Sequence, residues 1–228
     1  DLTGNLVKAK SCFEKVLSLD NQNTEIIFKL SIIFYKLNDL AKSLKNFDTL
    51  IKINPNIKYL RYNLANVMRS KNILNLKKTD NELIKKLFLF LFENTDIDHS
   101  AISKNTLLFL FENEELEKFY NKKNLISEIF KNKLIKEEIF QLLIQKSIIT
   151  NNILEKILTN IRSEIFLSRI KKNFFTLENK NFLFSLAQQC WLNEYIWFVT
   201  EDESIKLDSL KNEIENKTEI NEIEIALL

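Results

Sequence analysis

The side chains best suited to catalysis or metal binding are few in this chain, and they lie far apart. The 228 residues include one histidine, His99, and two cysteines, Cys12 and Cys190. Metal sites need several such ligands at short spacings, so no metal site is predicted. His99 follows Asp96 and Asp98, a polar context typical of a surface or helix-capping histidine. We therefore predict no catalytic residue around it.

Glycine content bears on cofactor chemistry. The chain has one glycine, Gly4, and one proline, Pro55, against average usage of about 7% and 5%. Dinucleotide fingerprints and phosphate loops need several glycines, so no cofactor-binding residue is predicted. The 31 acidic residues leave open a carboxylate acid–base pair, because sequence gives no distances. Such a helical enzyme would show a cleft with raised carboxylate pKa values.

One polar string stands out within an apolar stretch, from Ala187 to Trp197. If the helix continues through it, Gln189, Asn193 and Glu194 lie about one turn apart, which makes them a candidate polar site. The alternative is a buried helix whose polar groups satisfy neighbouring loop backbone, and we favour it. Cys190 is interpreted in the same way, as a small core residue.

The elements that carry these residues are expected to be helices only. Sheets and nucleotide-binding α/β folds need glycine at turns and at close backbone approaches, whereas helices joined by Asn, Asp, Ser and Lys do not. The predicted fold class is all-α, with tetratricopeptide-like helical hairpins (an α-solenoid) followed by an irregular helical domain.

An internal repeat supports the hairpins. A pattern of turn, small, aromatic and aliphatic residues recurs after 34 positions, the tetratricopeptide period: Gly4-Asn5-Leu6, Ala9, Phe13 and Val16-Leu17 match Asn38-Asp39-Leu40, Ser43, Phe47 and Leu50-Ile51. We expect Gly4 and Asn38 in turns, Ala9 and Ser43 where helices cross, and Pro55 after a helix end. Residues 1–72 are assigned to these hairpins, with the first unit lacking its first helix.

The first helix of each hairpin offers a binding face. In tetratricopeptide repeats this helix presents its fifth, ninth and twelfth positions to a groove. Those positions form the candidate peptide groove: Phe28, Ile32, Tyr35, Tyr62, Asn66 and Arg69. Aromatic and arginine side chains are well suited to holding a peptide. The alternative, equally weighted, is that following helices cover this face.

Residues 73–228 continue the helical pattern without the repeat and are assigned to a helical connector domain. Capping boxes are predicted at Thr79–Glu82 and at Thr200–Glu203, the second opening a helix that ends near Asn216. Between them we expect an amphipathic helix from about Asn151 to Lys171 and an apolar one from Phe182 to Phe198. The apolar last residues suggest that the domain is truncated there.

Charge and hydropathy indicate which classes of partner and which cellular location to expect. The chain has 33 basic and 31 acidic residues, scattered along its length, which does not favour nucleic acid. The longest apolar run, Leu87 to Phe92, is far shorter than the ~20 residues of a membrane span. Two distant cysteines fit a reducing compartment, so the expected location is cytoplasmic.

Three strings together resemble a known bacterial family: Asp96-Ile97-Asp98-His99, the Ile153 to Phe166 helix, and Ala187-Gln188-Gln189-Cys190-Trp191-Leu192-Asn193-Glu194-Tyr195. They resemble the N-terminal part of proteins in which tetratricopeptide repeats precede an S-adenosylmethionine-dependent methyltransferase domain. The resemblance implies a non-catalytic interaction and linker module that binds a protein or peptide. S-adenosylmethionine would belong to a domain further along the same chain. Because the glycine-rich cofactor loop is absent here, no catalytic residue is carried over.

The second hypothesis is a free-standing scaffold or adaptor of tetratricopeptide type. It shares the peptide groove but has no enzymatic partner in the same chain. Repeats of this kind bury their faces only against neighbours, so under either hypothesis the following helices must cap them.

Overall fold

The computed structural model describes residues 2–111, 133–167, 177–194 and 197–216. Within these ranges the chain forms α-helices and 3-10 helices and no strand, which confirms the all-α class. The α-helices are α1 (Leu2–Leu19), α2 (Thr24–Lys36), α3 (Leu40–Ile53), α4 (Leu60–Met68), α5 (Lys77–Glu93), α6 (Ser100–Leu110), α7 (Glu138–Lys146), α8 (Asn152–Leu167), α9 (Leu177–Leu192) and α10 (Glu201–Glu215). Two 3-10 helices span Lys71–Leu76 and Lys133–Lys136.

Short polar side chains set the ends of the α2–α3 hairpin. The Asn23 carboxamide accepts from the Ile26 amide at 3.1 Å and opens α2, and the Asp39 carboxylate accepts from the Lys42 amide at 3.3 Å and opens α3. Both satisfy amides that a helix leaves without a partner in its first turn. Between the helices Asn38 adopts φ 62, the left-handed turn conformation predicted for it. Helix α3 ends at Ile53, as expected from the nearby proline.

Close packing in this hairpin follows the small and aromatic residues of the repeat. Ser43 is buried, and its hydroxyl donates to the Ser31 carbonyl at 2.9 Å, so α3 lies directly against α2. Phe47 is also buried and meets the Phe28 ring edge to face at 6.4 Å between centroids. The predicted roles of Ser43 and Phe47 are confirmed. Gly4, by contrast, lies inside α1 and not in a turn, so that expectation was wrong.

The next hairpin departs from the expected pattern. A 3-10 helix replaces the start of its second helix, and α5 begins at Lys77, two residues before the predicted capping box. Asp80 breaks the helical conformation with φ −131 and ψ 32. The Thr79 hydroxyl donates to the Leu76 carbonyl at 3.2 Å and to the Asp80 carboxylate at 3.0 Å, which ties it to the preceding turn. The sequence pattern missed this kink because a capping box and a kink use the same residue types.

In the second half of the chain, α9 packs against α7, and α10 packs against α8. The capping box at the start of α10 is confirmed, since the Thr200 amide donates to Glu203 Oε2 at 2.8 Å and the Glu203 amide donates to Thr200 Oγ1 at 3.2 Å. The apolar stripe predicted for α8 is buried: Leu154, Ile157, Leu158, Ile161 and Ile165. The predicted extension of α8 beyond Leu167 lies outside the described residues.

Helix α9 begins and ends earlier in the chain than predicted. It ends at Leu192, and Glu194 takes φ 53, a left-handed conformation found just past helix ends. The expected continuation to Phe198 was therefore wrong. Apolar periodicity alone does not reveal where the backbone reverses.

The chain forms two compact units, Asp1–Asn105 and Thr106–Leu228. The first contains the repeat-like hairpins, together with α5 and the start of α6. The sequence boundary at 72 marks where the repeat pattern ends, and it stays a prediction about the repeat. Each unit has its own set of fully buried residues, such as Leu44, Phe47 and Leu64 in the first and Leu143 and Leu158 in the second.

Candidate functional site

The candidate groove residues lie on two neighbouring helices of the first unit. Phe28, Ile32 and Tyr35 follow one another at helical spacing on α2, and Tyr62 lies on α4. Helix α4 contacts α2, as the first helices of successive repeats do. The side chains of α2 in this row are half-buried, whereas Tyr62 is 64% exposed. We call the surface formed by the six candidate groove residues the α2–α4 face.

Contacts of Phe28 and of Arg61 support this face from neighbouring elements. Phe28 is anchored by its edge contact with Phe47 of α3. Arg61 on α4 donates to Asp96 Oδ2 and to Asn56 Oδ1, each at 3.2 Å, and its guanidinium lies 5.5 Å from the Phe90 ring centroid. These contacts hold the backbone of α4 while leaving Tyr62 exposed. The face therefore combines supported aromatic side chains with solvent access.

The C-terminal ends of α2 and α4 meet at an amide pair that the sequence analysis missed. Asn72 Nδ2 donates to Asn38 Oδ1 at 3.1 Å, and the two residues are 34 positions apart, one full repeat. An open cleft of about 420 Å³ lies here, and its lining includes Asp39 and Asn75. The signal in the sequence was the recurrence of asparagine at the same repeat position.

The second candidate, the polar site on α9, is occupied by backbone contacts. Gln189 is fully buried. Its side-chain amide is assigned the orientation in which the nitrogen donates to the main-chain carbonyls of Ile144 and Ser147, the latter at 3.0 Å, and the oxygen accepts from Asn193 Nδ2 at 3.0 Å. It satisfies carbonyls at the C-terminal end of α7, which have no partner within that helix. This is the arrangement that the alternative interpretation of the string predicts.

Of the three polar residues, Gln189 and Asn193 are brought together by their side-chain hydrogen bond, whereas Glu194 is exposed. Gln189 lies within α9, whereas Asn193 and Glu194 lie in the turn that follows, where their amides donate to Gln189 and Trp191 carbonyls at 3.1 and 3.0 Å. Glu194 is exposed, and its backbone adopts a left-handed conformation. A ligand-binding role for these residues stays a prediction.

Cys190, the residue after Gln189 in the sequence, is also buried. Burial raises the pKa of its thiol to about 11, against a partial lowering by the charge of Arg162. A thiol with this pKa stays protonated near neutral pH, and the thiolate is the nucleophilic form. The side chain thus behaves as a small core residue.

A buried ion pair in the second unit was not predicted. Arg162, on the α8 stripe, donates from Nη2 to Glu203 Oε1 at 2.8 Å and to the Phe198 carbonyl at 2.9 Å. The two side chains are 10% and 3% exposed. With its other oxygen Glu203 accepts from the Thr200 amide, so both carboxylate oxygens are used. The signal in the sequence that could have predicted this pair was an arginine, Arg162, within the apolar stripe of α8.

His99 has structural contacts on one side of α6. Its Nε2 lies 2.7 Å from the Asn94 carbonyl, and its ring stacks on Phe92 at 5.5 Å between centroids. His99 lies in the loop between α5 and α6, and its side chain is half-buried. These contacts agree with a structural histidine.

The described part of the chain also bears on two other kinds of site, membrane spans and metal sites. Its helices include none that is long and apolar enough to cross a membrane. Its His, Cys, Asp and Glu side chains form no group of three or more suited to holding a metal ion.

Comparison with known proteins gives one partial match. A stretch of 88 residues is 31% identical to Protein O-mannosyl-transferase TMTC3 from Homo sapiens, a protein with tetratricopeptide repeats. The match covers 38% of this chain and 9% of that protein, so the chain spans under a tenth of the length of this curated relative. It agrees with tetratricopeptide-like helical content here. No family model and no solved structure matches the chain.

Proposed function

We propose that the first unit is a non-catalytic interaction module that binds a peptide segment of another protein on the α2–α4 face. The observation that carries the proposal is the combination on one face of an exposed Tyr62 with half-buried Phe28, Ile32 and Tyr35. Aromatic side chains supply much contact area with few rotatable bonds, so ordering them costs little entropy.

Helical hairpins suit this role because their backbone hydrogen bonds are satisfied internally. The face is therefore available without unfolding any element, and a bound peptide adds contacts to an existing scaffold. The tetratricopeptide-like helical content agrees with a protein-interaction module.

The test replaces Tyr35 and Tyr62 together with alanine in the full chain. An array of random short peptides is probed with labelled wild-type and variant proteins. We expect wild type to select a set of related peptides and the double variant to lose at least ~10-fold in affinity for them, since anchoring aromatic residues contribute most of the binding energy.

Trp191→Ala serves as the matched control, because Trp191 is an exposed aromatic side chain of the second unit. It should leave selection unchanged. Thermal melts of all variants separate lost binding from lost folding. If the folded double variant selects the same peptides with unchanged affinity, the α2–α4 face is not the binding site.

We also propose that this module is the accessory part of a tetratricopeptide-containing, S-adenosylmethionine-dependent methyltransferase. The support is the resemblance carried by the strings around His99, in α8 and from Ala187 to Tyr195. Reading the coding DNA beyond both ends tests it directly. A glycine-rich strand–loop–helix downstream agrees with the proposal, whereas a stop codon soon after Leu228 leaves a free-standing adaptor. Calorimetry with S-adenosylmethionine should show no binding to residues 1–228.

A further inference from the structure

The repeat-like hairpins are more basic than the chain as a whole. Residues 24–69 contain eight lysines and arginines but three acidic residues, Glu25, Asp39 and Asp48, while the whole chain carries a net charge of +2. The positive charge is thus concentrated on the elements that form the α2–α4 face and its partner helix α3.

All three acidic side chains are already neutralised within the unit. Glu25 pairs with Lys29 at 2.6 Å, and Asp39 pairs with Lys42 at 3.1 Å. Asp48 pairs with two lysines, at 2.7 and 2.5 Å. The charge that remains without an internal partner is therefore positive.

Lys36 and Arg69 are two exposed cations without an ion-pair partner among the described residues. Lys36 lies in the last turn of α2, four residues after Ile32. Arg69 caps the C-terminal end of α4, seven residues after Tyr62. These spacings place both cations on the same side of their helices as the candidate groove residues.

The two cations also lie at the same end of the α2–α4 face. Asn38 follows Lys36 by two residues and Asn72 follows Arg69 by three, and their side chains are hydrogen-bonded at 3.1 Å. The C-terminal ends of α2 and α4 are therefore adjacent. The lining of the open cleft at this amide pair includes the Asn75 side-chain amide, a further hydrogen-bond donor for an anionic group, and the carboxylate in the lining, Asp39, is paired with Lys42.

We propose that the partner of the α2–α4 face is an acidic peptide, whose apolar residues contact Tyr35 and Tyr62 and whose carboxylates pair with Lys36 and Arg69. The proposal rests on the proposed function and adds the chemistry of the partner. An arginine and a lysine at one end of an aromatic row give both a fixed fork for a carboxylate and a mobile charge.

The test measures fluorescence anisotropy with the full chain and a pair of labelled short peptides. The peptides share their apolar residues and carry either glutamates or lysines at the same polar positions. We expect the acidic peptide to bind at least ~10-fold more tightly at low salt, with the difference shrinking as added salt screens the charges. Equal binding, or preference for the basic peptide, would overturn the proposal.

The decisive variant reverses both charges, Lys36→Glu with Arg69→Glu. We expect it to weaken binding of the acidic peptide ~10-fold and to improve binding of the basic one. Lys45→Glu on α3 is the matched control. Lys45 is also exposed, and its substitution changes the charge by the same amount as each of the two reversals. If Lys45→Glu weakens binding as much per charge, or the double reversal only lowers the melting temperature, the cations act generally or as helix-end charges and the proposal fails.

The same assay distinguishes three cases: failure of the acidic-peptide proposal, failure of the α2–α4 face as a binding site, and binding of nucleic acid instead of a peptide. If Tyr35→Ala with Tyr62→Ala abolishes binding of both peptides while charge reversal changes nothing, the interaction face stands and the acidic partner does not. If the charge-reversal variant weakens binding but the tyrosine double variant does not, the aromatic residues of the α2–α4 face are not part of the binding site. Tighter binding of single-stranded polythymidine than of the acidic peptide would overturn the proposal in favour of nucleic acid.

Discussion

Gln189 and Cys190 are adjacent in the sequence, and each is kept chemically quiet by a different physical effect. The Gln189 amide is buried, so its hydrogen-bonding capacity is spent on main-chain carbonyls at the end of α7. The Cys190 thiol is buried without a stabilising cation close enough to offset desolvation, so its pKa rises. The sequence favoured a buried, structural role for both residues, and their burial agrees with that interpretation.

The two cysteines should differ sharply in reactivity. Cys12 is exposed on α1, whereas Cys190 is buried with a pKa of about 11. Since the thiolate is the reactive form and burial also limits access of the reagent, we expect Cys190 to react with a disulfide reagent at pH 8 at least ~100-fold more slowly than Cys12. Absorbance of the released thiolate measures both phases.

Two variants assign the phases. Cys12→Ser should remove the fast phase and Cys190→Ala the slow one, and denaturant should merge the two. A fast reaction of Cys190 in the folded Cys12→Ser variant would contradict its burial.

The Arg162–Glu203 pair should be the most sensitive polar contact of the second unit. Arg162→Met leaves the Glu203 carboxylate buried beside an apolar side chain. Removing one member of a buried pair typically costs about 3–5 kcal/mol in unfolding free energy. Urea unfolding followed by circular dichroism measures this loss.

An exposed ion pair on α10, the helix that carries Glu203, provides the comparison. Lys211 and Asp208 lie 3.9 Å apart with both side chains mostly exposed, so Lys211→Met should leave the urea midpoint unchanged. Equal midpoints for Arg162→Met and Lys211→Met would mean that the buried pair carries no special weight.

At the scale of elements, the 34-residue repeat predicted most of the first unit. It placed Ser43 and Phe47 in the hairpin core, Asn38 in the turn and the end of α3 before Pro55, because these roles depend on neighbours within one repeat. Sequence patterns failed where contacts come from distant parts of the chain. The kink at Asp80, the end of α9 and the burial of Arg162 each depend on tertiary surroundings that local periodicity does not encode.

The candidate sites were predictable to different degrees. The spacing of Phe28 and Tyr62 placed them on neighbouring helices, and exposure of Tyr62 required the structure. The amide pair between Asn38 and Asn72 was missed because the turn alignment matched Gly4 with Asn38 and was not extended by one further period to Asn72. The accumulation of unpaired positive charge at Lys36 and Arg69 emerged only once the ion pairs of the neighbouring acids were known.

Asp48 links elements α3 and α5, so their association should depend on pH. Burial disfavours its charged form, but hydrogen bonds and charges from Lys52 and Lys86 outweigh burial and lower its pKa below the ordinary 3.8. The unfolded chain therefore binds a proton at a higher pH than the folded one. The stabilisation is complete above the ordinary pKa and is lost as the pH falls through the lowered value.

Asp48→Asn isolates this effect. The urea midpoint of wild type should fall more steeply than that of the variant as the pH drops below about 4. Lys86→Met should lie between them, since Asp48 keeps its contact with Lys52. Parallel curves for wild type and Asp48→Asn below this pH would show that Asp48 gains nothing from its lysines.

At the scale of the whole molecule, the two compact units predict that the first folds without the second. Its core residues, among them Leu30, Leu44 and Leu64, are fully or almost fully buried, and residues 1–105 form one compact unit. A fragment should extend through α6, because Asn105 on this helix donates to the Met68 and Ser70 carbonyls at 2.8 and 3.0 Å. Residues 1–110 keep these bonds.

We expect this fragment to be helical by circular dichroism and to unfold in one cooperative urea transition, with an unfolding free energy of at least ~5 kcal/mol. It contains the complete α2–α4 face, including Lys36 and Arg69. Its affinity for the acidic peptide should therefore equal that of the full chain. A folded fragment that no longer binds would place essential contacts in residues 111–228, whereas a fragment that unfolds without a cooperative transition would show that the first unit depends on the second for its stability.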